Sequence, residues 1–151
     1  MNTQFLKKAA CLAALTLAGL SAHAQQTGTV AVEFQGPGGH SSGNYGRTSA
    51  LHAAGRAVIF LQQANLPHGS YTITNVTGGN SVNSIASDGL IELQLTAADA
   101  TAYADVVSKI TAAAKAGADA ENAFRGVKAG DVTAGAPAHI RYTVNPGLAL
   151  R

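Results

Sequence analysis

Chemistry in this chain, if there is any, gathers around one histidine. GPGGHSSGNYGRTSALHAAGRA, residues Gly36–Ala57, sets His40 in a glycine-rich turn beside Ser41 and Ser42 and just before a helical pattern. Imidazole can act as a base, donate to an oxyanion or bind a metal, so each role was weighed against its neighbours. A serine nucleophile needs a base that is itself held by a third group, and nothing in the sequence supplies that group for Ser41 or Ser42. A zinc site is not indicated, because His52, His68 and His139 share no ligand spacing with His40. The turn also lacks the Gly-Lys-Ser/Thr ending of a P-loop, so a phosphate cradle is not supported. Gly36, Gly38, Gly39 and Gly43 are more simply expected to allow positive φ in a tight turn.

The elements that must position this turn follow from apolar periodicity. Val30, Val32 and Phe34 alternate with Ala31 and Glu33, which predicts a half-buried strand over Thr29–Gln35. A helix is expected from about Ser49 to Leu66, capped by Thr48 or Ser49 and stopped by Pro67 and Gly69, with Leu51, Ala54, Val58 and Leu61 on one face. Tyr71–Thr77, rich in β-branched residues, reads as a second strand. Leu90–Thr96 is the third, with Ile91, Leu93 and Leu95 alternating with polar neighbours. A second helix is predicted from about Ala100 to Ala116, with Tyr103, Val106, Ile110 and Ala113 as its apolar stripe and Gly117 at its end. Asp119–Pro137 reads as a polar loop. Ala138–Val144 reads as a fourth strand carrying His139 on its polar face, and residues 145–151 as a tail.

The order βαββαβ is that of a ferredoxin-like α+β fold: a four-stranded antiparallel sheet with two helices on one face. A permuted α+β sandwich with another strand order fits the same periodicity.

The chain opens with features of an export signal. Lys7 and Lys8 precede an apolar run from Ala9 to Leu20, and Ala22-His23-Ala24 fits a small-x-small cleavage site. The run is about half of the ~20 residues a membrane span needs. Residues 1–24 are therefore expected to be removed, leaving residues 25–151 as a single domain with its core at about 29–144, periplasmic or secreted and not membrane-bound. Cys11 would leave with the signal, so the remaining chain has no thiol or Cys-based metal site. Loss of Lys7 and Lys8 also leaves eight basic residues facing eight acidic ones. That balance lacks the basic footprint of a nucleic-acid binder.

Gly36–Ala57, followed by TNVTGGNSVNSIASDGLIELQL, closely resembles the dimerisation, or lid, domain of metallopeptidase family twenty, the di-zinc peptidases that include aminoacylases, glutamate carboxypeptidases and succinyl-diaminopimelate desuccinylase. The resemblance covers most of Thr29–Val144, weakens after about Ala98, and implies the same ferredoxin-like fold. It also implies roles. The histidine matching His40 reaches across a dimer into the partner's active site and steadies the oxyanion, and the asparagine matching Asn83 contacts substrate. Many members carry a carboxylate-gripping arginine where this chain has Thr96. The family's zinc is held by a larger catalytic domain, whose His-x-Asp and Glu-Glu motifs are missing from this sequence.

Two functions are thus expected. One is a non-catalytic, exported dimerisation module, with no cofactor of its own. Its homodimer would form through the edge made of Tyr71, Thr72, Ile73, Thr74, Asn75, Val76 and Thr77, and through small residues of the first helix (Ala50, Ala53, Ala54, Gly55 and Ala57). The edge has no lysine or proline to defend it, and a proline at Thr74 is expected to block pairing. The alternative is an accessory half of a zinc-dependent peptidase or amidohydrolase, giving His40 and Asn83 to an active site on a separate catalytic subunit that supplies the zinc ligands.

Overall fold

The computed structural model describes residues 24–147. Residues 1–23, with Cys11 and nearly all of the expected signal peptide, and residues 148–151 lie outside the described residues.

The main sheet has four antiparallel strands: β1 (Gln26–Gln35), β3 (Tyr71–Thr77), β5 (Asp88–Ala97) and β8 (Arg141–Pro146), in spatial order β3-β5-β1-β8. The helices α2 (Ala50–Gln62) and α3 (Ala100–Phe124) pack on one face. Together they make the ferredoxin-like arrangement. Three short pieces decorate it. β2 (Gly39–His40) pairs with β4 (Ser84–Ile85), the one-turn helix α1 (Ser41–Asn44) follows β2, and β6 (Val132–Thr133) pairs with β7 (Ala136–Pro137).

Strand alternation fixes which face is core. Val30, Val32 and Phe34 of β1 and Ile91, Leu93 and Leu95 of β5 are almost wholly buried beneath Ala50, Ala54, Ala57 and Leu61 of α2 and Val106 and Ile110 of α3. At ~25 cal/mol per Å² of apolar surface removed from water, this layer is the main source of stability.

Several expectations are corrected. Ser49 alone caps α2, its Oγ accepting from the His52 N–H, while Thr48 is buried with its hydroxyl donating to the Ala138 carbonyl at 2.6 Å. The helix ends at Gln62, ahead of Pro67, and Asn65 already has a positive φ. Gly117 does not end the second helix, which continues to Phe124. A Cβ there would lie 2.6 Å from the Ala53 carbonyl oxygen and 2.7 Å from Ala57 Cβ, so this glycine is what lets α3 press against α2. The predicted loop therefore contributes the last turns of α3 and the β6–β7 hairpin. β8 begins later than expected and reaches Pro146. His139 precedes the strand, and its Nδ1 is buried with no hydrogen-bond partner among the described residues. Of the small α2 residues expected to let copies approach closely, Ala50, Ala53, Ala54 and Ala57 are buried inside the protomer and Gly55 alone is exposed.

Candidate functional site at the glycine-rich turn

The turn after β1 is folded by its glycines and tied to the segment before β5. Gly38 and Gly39 have φ of 63° and 132°, where side chains are disfavoured, whereas Gly36 and Gly43 do not have positive φ. At Gly36 the space is tight: a Cβ would meet Ile140 Cδ1 at 2.8 Å, so the tip of that side chain would have to move. The β2–β4 ladder sets His40 opposite Ser84, and the Ser41 N–H donates to the Asn83 carbonyl at 2.9 Å. The Asn44 amide donates to the His40 carbonyl at 2.8 Å, and Arg47 Nη1 donates to the Gly38 carbonyl at 3.2 Å.

This scaffold brings His40 and Asn83 into contact although 43 residues separate them, with His40 Nε2 3.0 Å from Asn83 Nδ2. On the other side of the ring, Nδ1 lies 2.8 Å from Ser42 Oγ and 3.3 Å from the Ser42 N–H, so the side chain also caps α1. A neutral imidazole carries one proton, so its two nitrogens cannot both accept. With Nδ1 unprotonated the ring accepts from Ser42 and caps α1, and Nε2–H then donates to an Asn83 amide turned end for end. With Nδ1–H donating to Ser42 Oγ, Nε2 accepts from the Asn83 amide as it stands and the cap contact is given up. Either way the ring is held from both sides and remains exposed.

Ser42, His40 and Asn83 thus form the chain of contacts that sequence alone could not supply. The rest of a nucleophilic site is not built here. The Ser42 and Ser41 N–H groups are engaged within the turn, and all three side chains face solvent, so nothing excludes water. Asn83 also accepts from the Ser81 hydroxyl and receives its neighbour's support locally, as a turn asparagine does.

Thr96 is elsewhere. It lies near the far end of β5, roughly 25 Å along the strand from Asp88 at ~3.3 Å per residue. There it borders an open cleft of about 420 Å³ with Pro67, His68, Ser70 and Val106, and its N–H donates to the Ser70 carbonyl at 3.0 Å. His52 is on α2, 3.8 Å from Glu121, and His68 borders the cleft beside Thr96. Among the described residues no group of three or more His, Cys, Asp or Glu side chains could hold a metal ion. No helix among them is long and apolar enough to cross a membrane.

One cluster was missed by sequence reasoning. Glu121 of α3 is fully buried, yet its carboxylate accepts from Arg56 Nε at 3.1 Å, Arg125 Nε at 3.3 Å and the Ser49 N–H at 3.1 Å. The Arg56 and Arg125 guanidinium groups also sit 4.9 Å from the centre of the Phe124 ring. A buried charge persists only when paired and hydrogen-bonded, and here it ties the start of α2 to the end of α3. The only local signal was the i,i+4 spacing of Glu121 and Arg125.

The family sequence model described as the peptidase dimerisation domain matches residues 20–122. The chain belongs to this family. Solved structures agree with the fold. The domain is similar to an aminobenzoyl-glutamate utilization protein from Klebsiella pneumoniae, 18% identical with a TM-score of 0.58, covering 85% of this chain and 32% of that one. A hydantoinase/carbamoylase family amidase from Burkholderia ambifaria is 17% identical with a TM-score of 0.59, over 83% of this chain and 28% of the other. For the aminopeptidase PepT from Bacillus cereus the values are 17%, 0.55, 80% and 29%. This dimerisation domain therefore spans about a third or less of each protein it resembles. No curated protein sequence matches the chain.

Proposed function

We propose that the chain works as an exported dimerisation module, non-catalytic by itself, whose copies join through β3 and the adjoining flank of α2. The observation that carries this reading is the unfinished β3 side. The Thr96 N–H bonds to Ser70, so by alternation the β5 groups facing β3 belong to Thr96, Gln94, Glu92 and Leu90. On β3 the outward-pointing N–H and C=O groups are then those of Tyr71, Ile73 and Val76. Thr74 is the extra residue of a bulge, its hydroxyl donating to the Glu92 carbonyl at 3.1 Å, so a proline there would disturb the protomer's own ladder. Val76 is the better site.

Beside this edge α2 presents half-buried Val58, with Gly55 and the 53% exposed Ile59. Edge hydrogen bonds are worth only about 0.5–1.5 kcal/mol each, so this apolar flank would have to contribute the rest at ~25 cal/mol per Å². Export rests on the charged start and short apolar run. β1 begins at Gln26, so cleavage after Ala24 would spare the sheet. Light scattering on purified protein at micromolar concentration should give twice the protomer mass, and intact mass of exported protein should start at Gln25. A monomer, or a mass that retains residues 1–24, would refute the respective claim.

A second reading is favoured by the His40–Asn83 contact. The pair lies at the end of the sheet away from Gln26 and Pro146, where it is free to meet a different polypeptide. In that reading a separate peptidase subunit holds zinc and receives both side chains. Affinity purification with metal analysis should then recover a zinc-bound partner that is lost with His40→Ala. Recovery of the chain with only its own copies would count against it.

A further inference from the structure

Between the glycine-rich turn and the start of α2 lies an open cleft of about 370 Å³, lined among others by Ser41, Tyr45, Arg47, His52, Ser84 and Arg125. No Asp or Glu lines it. The nearest carboxylate, Glu121, is fully buried and already bonded to Arg56, Arg125 and the Ser49 N–H, which leaves the corner with more cations than anions. The remaining N–H groups of the two lining arginines are uncommitted. Arg47 uses Nη1 on the Gly38 carbonyl and Arg125 uses Nε on Glu121, and among the described residues no other protein acceptor engages either guanidinium. Their stems are fixed, Arg47 by the turn and Arg125 by Glu121 and the Phe124 ring, so holding an anion would cost them little further ordering. Three N–H groups at the start of α2 are meanwhile taken: Ser49 by Glu121, Ala50 by the Ala86 carbonyl, and His52 by Ser49 Oγ. The two arginine side chains are therefore the main donors that the cleft offers an anion.

We propose that this cleft binds a carboxylate, gripped by the free N–H groups of Arg47 and Arg125, with His52 and the Ser41 hydroxyl at its margin. Guanidinium groups match the planar, two-oxygen geometry of a carboxylate. The apolar part of the lining, Leu51, Ile85 and Ala86, accommodates the carbon next to it. Tyr45, 94% exposed at the mouth, is available to cover whatever extends outward. The shared wall with the His40 turn, through Ser41 and Ser84, places the ligand beside the His40–Asn83 pair. The inference rests on the cleft alone and holds whether or not the protein dimerises.

The test is an NMR titration that follows arginine Nε–Hε signals of the purified protein at about 0.15 M salt, where long-range attraction is screened. The probes are acetate, N-acetyl-triglycine with a free C-terminal carboxylate, and the same peptide as its C-terminal amide. Arg47 and Arg125 signals should move saturably with the two acids and not with the amide. Tighter binding of the acid peptide than of acetate assigns the site to chain termini; equal binding assigns it to small organic acids. Arg47→Gln should weaken binding about tenfold or more with an unchanged circular dichroism spectrum, while Arg141→Gln, on exposed β8, should bind as the wild type does. Signals that stay in place, equal movement with the amide, undiminished binding by Arg47→Gln, or equal loss in Arg141→Gln would each overturn the proposal. If Arg47→Gln does not fold, the acid–amide contrast on the wild type decides.

Discussion

The two sides of the sheet are finished to different degrees. On the β8 side, Pro146 occupies a position whose outward direction needs no N–H, Arg141 adds charge, and the Asn122 side chain of α3 clasps both backbone groups of Ile140, accepting its N–H at 2.7 Å and donating to its carbonyl at 3.3 Å. Proline and charge on an edge strand discourage pairing with another chain. On the β3 side there is neither; seven residues run without proline or charge. The helix above repeats the contrast. The α3-facing flank of α2 is closed by Gly117 against Ala53 and Ala57 and by Arg56 against Glu121, while the opposite flank leaves Val58 and Ile59 partly uncovered. One side of the molecule is completed by its own chain. The other is left open, which is the ground for the proposed pairing with a second copy; the bulge at Thr74 would limit such pairing to short runs of edge.

Damage to the finished side should have the largest effect. Glu121→Ala leaves Arg56 and Arg125 without their shared carboxylate and strips the Ser49 N–H of its acceptor. Breaking a buried, hydrogen-bonded pair costs about 3–5 kcal/mol, so denaturant midpoint and Tm should fall sharply. An unchanged Tm would show that the buried cluster does not hold the helices. Gly117→Ala should cost less, about 1–3 kcal/mol, because the helices must separate to admit a Cβ. Thermal unfolding reads this as well, and a neutral or stabilising outcome would mean the α2–α3 contact is looser than described.

An ion pair outside both regions serves as the smallest case. Lys115 and Asp119 pair at i,i+4 at exposed positions of α3, and the hydrogen bond that Lys115 donates to Asp119, with the charge of that carboxylate, raises the Lys115 pKa. A raised lysine contributes its stability below the unfolded-state pKa and loses it as pH climbs through the folded value, so the pH dependence is confined to alkaline pH. Asp119→Ala should lower the Lys115 pKa in an NMR titration and leave Tm at pH 7 nearly unmoved. No movement of that pKa would mean the pair does not persist in solution.

Much of the main sheet could be expected from residue pattern, for physical reasons that differ by element. Period-two alternation marked the strands, and Tyr71–Thr77 coincides with β3 because turn residues bound it at both ends. Gly117 misled: glycine disfavours a helix interior, and only the nearness of Ala53 and Ala57 explains its place there. The two-residue strands β6 and β7 are too short for periodicity to register. Glu121 looked like one more polar residue, since its partners Arg56 and Ser49 lie 65 and 72 positions away. Resemblance named His40 and Asn83, but only the β2–β4 ladder explains why they touch.

The central claim is that β3 is an edge awaiting its copy. Val76→Pro tests it most directly, because it gives β3 the device β8 already has at Pro146. Val76 is 42% exposed and its N–H points away from β5, so the substitution removes an intermolecular donor without touching the protomer's ladder. Sedimentation velocity on both proteins at micromolar concentration should show a wild-type dimer and a Val76→Pro monomer with the wild-type circular dichroism spectrum. A wild-type monomer, or a proline variant that remains dimeric, would contradict the account.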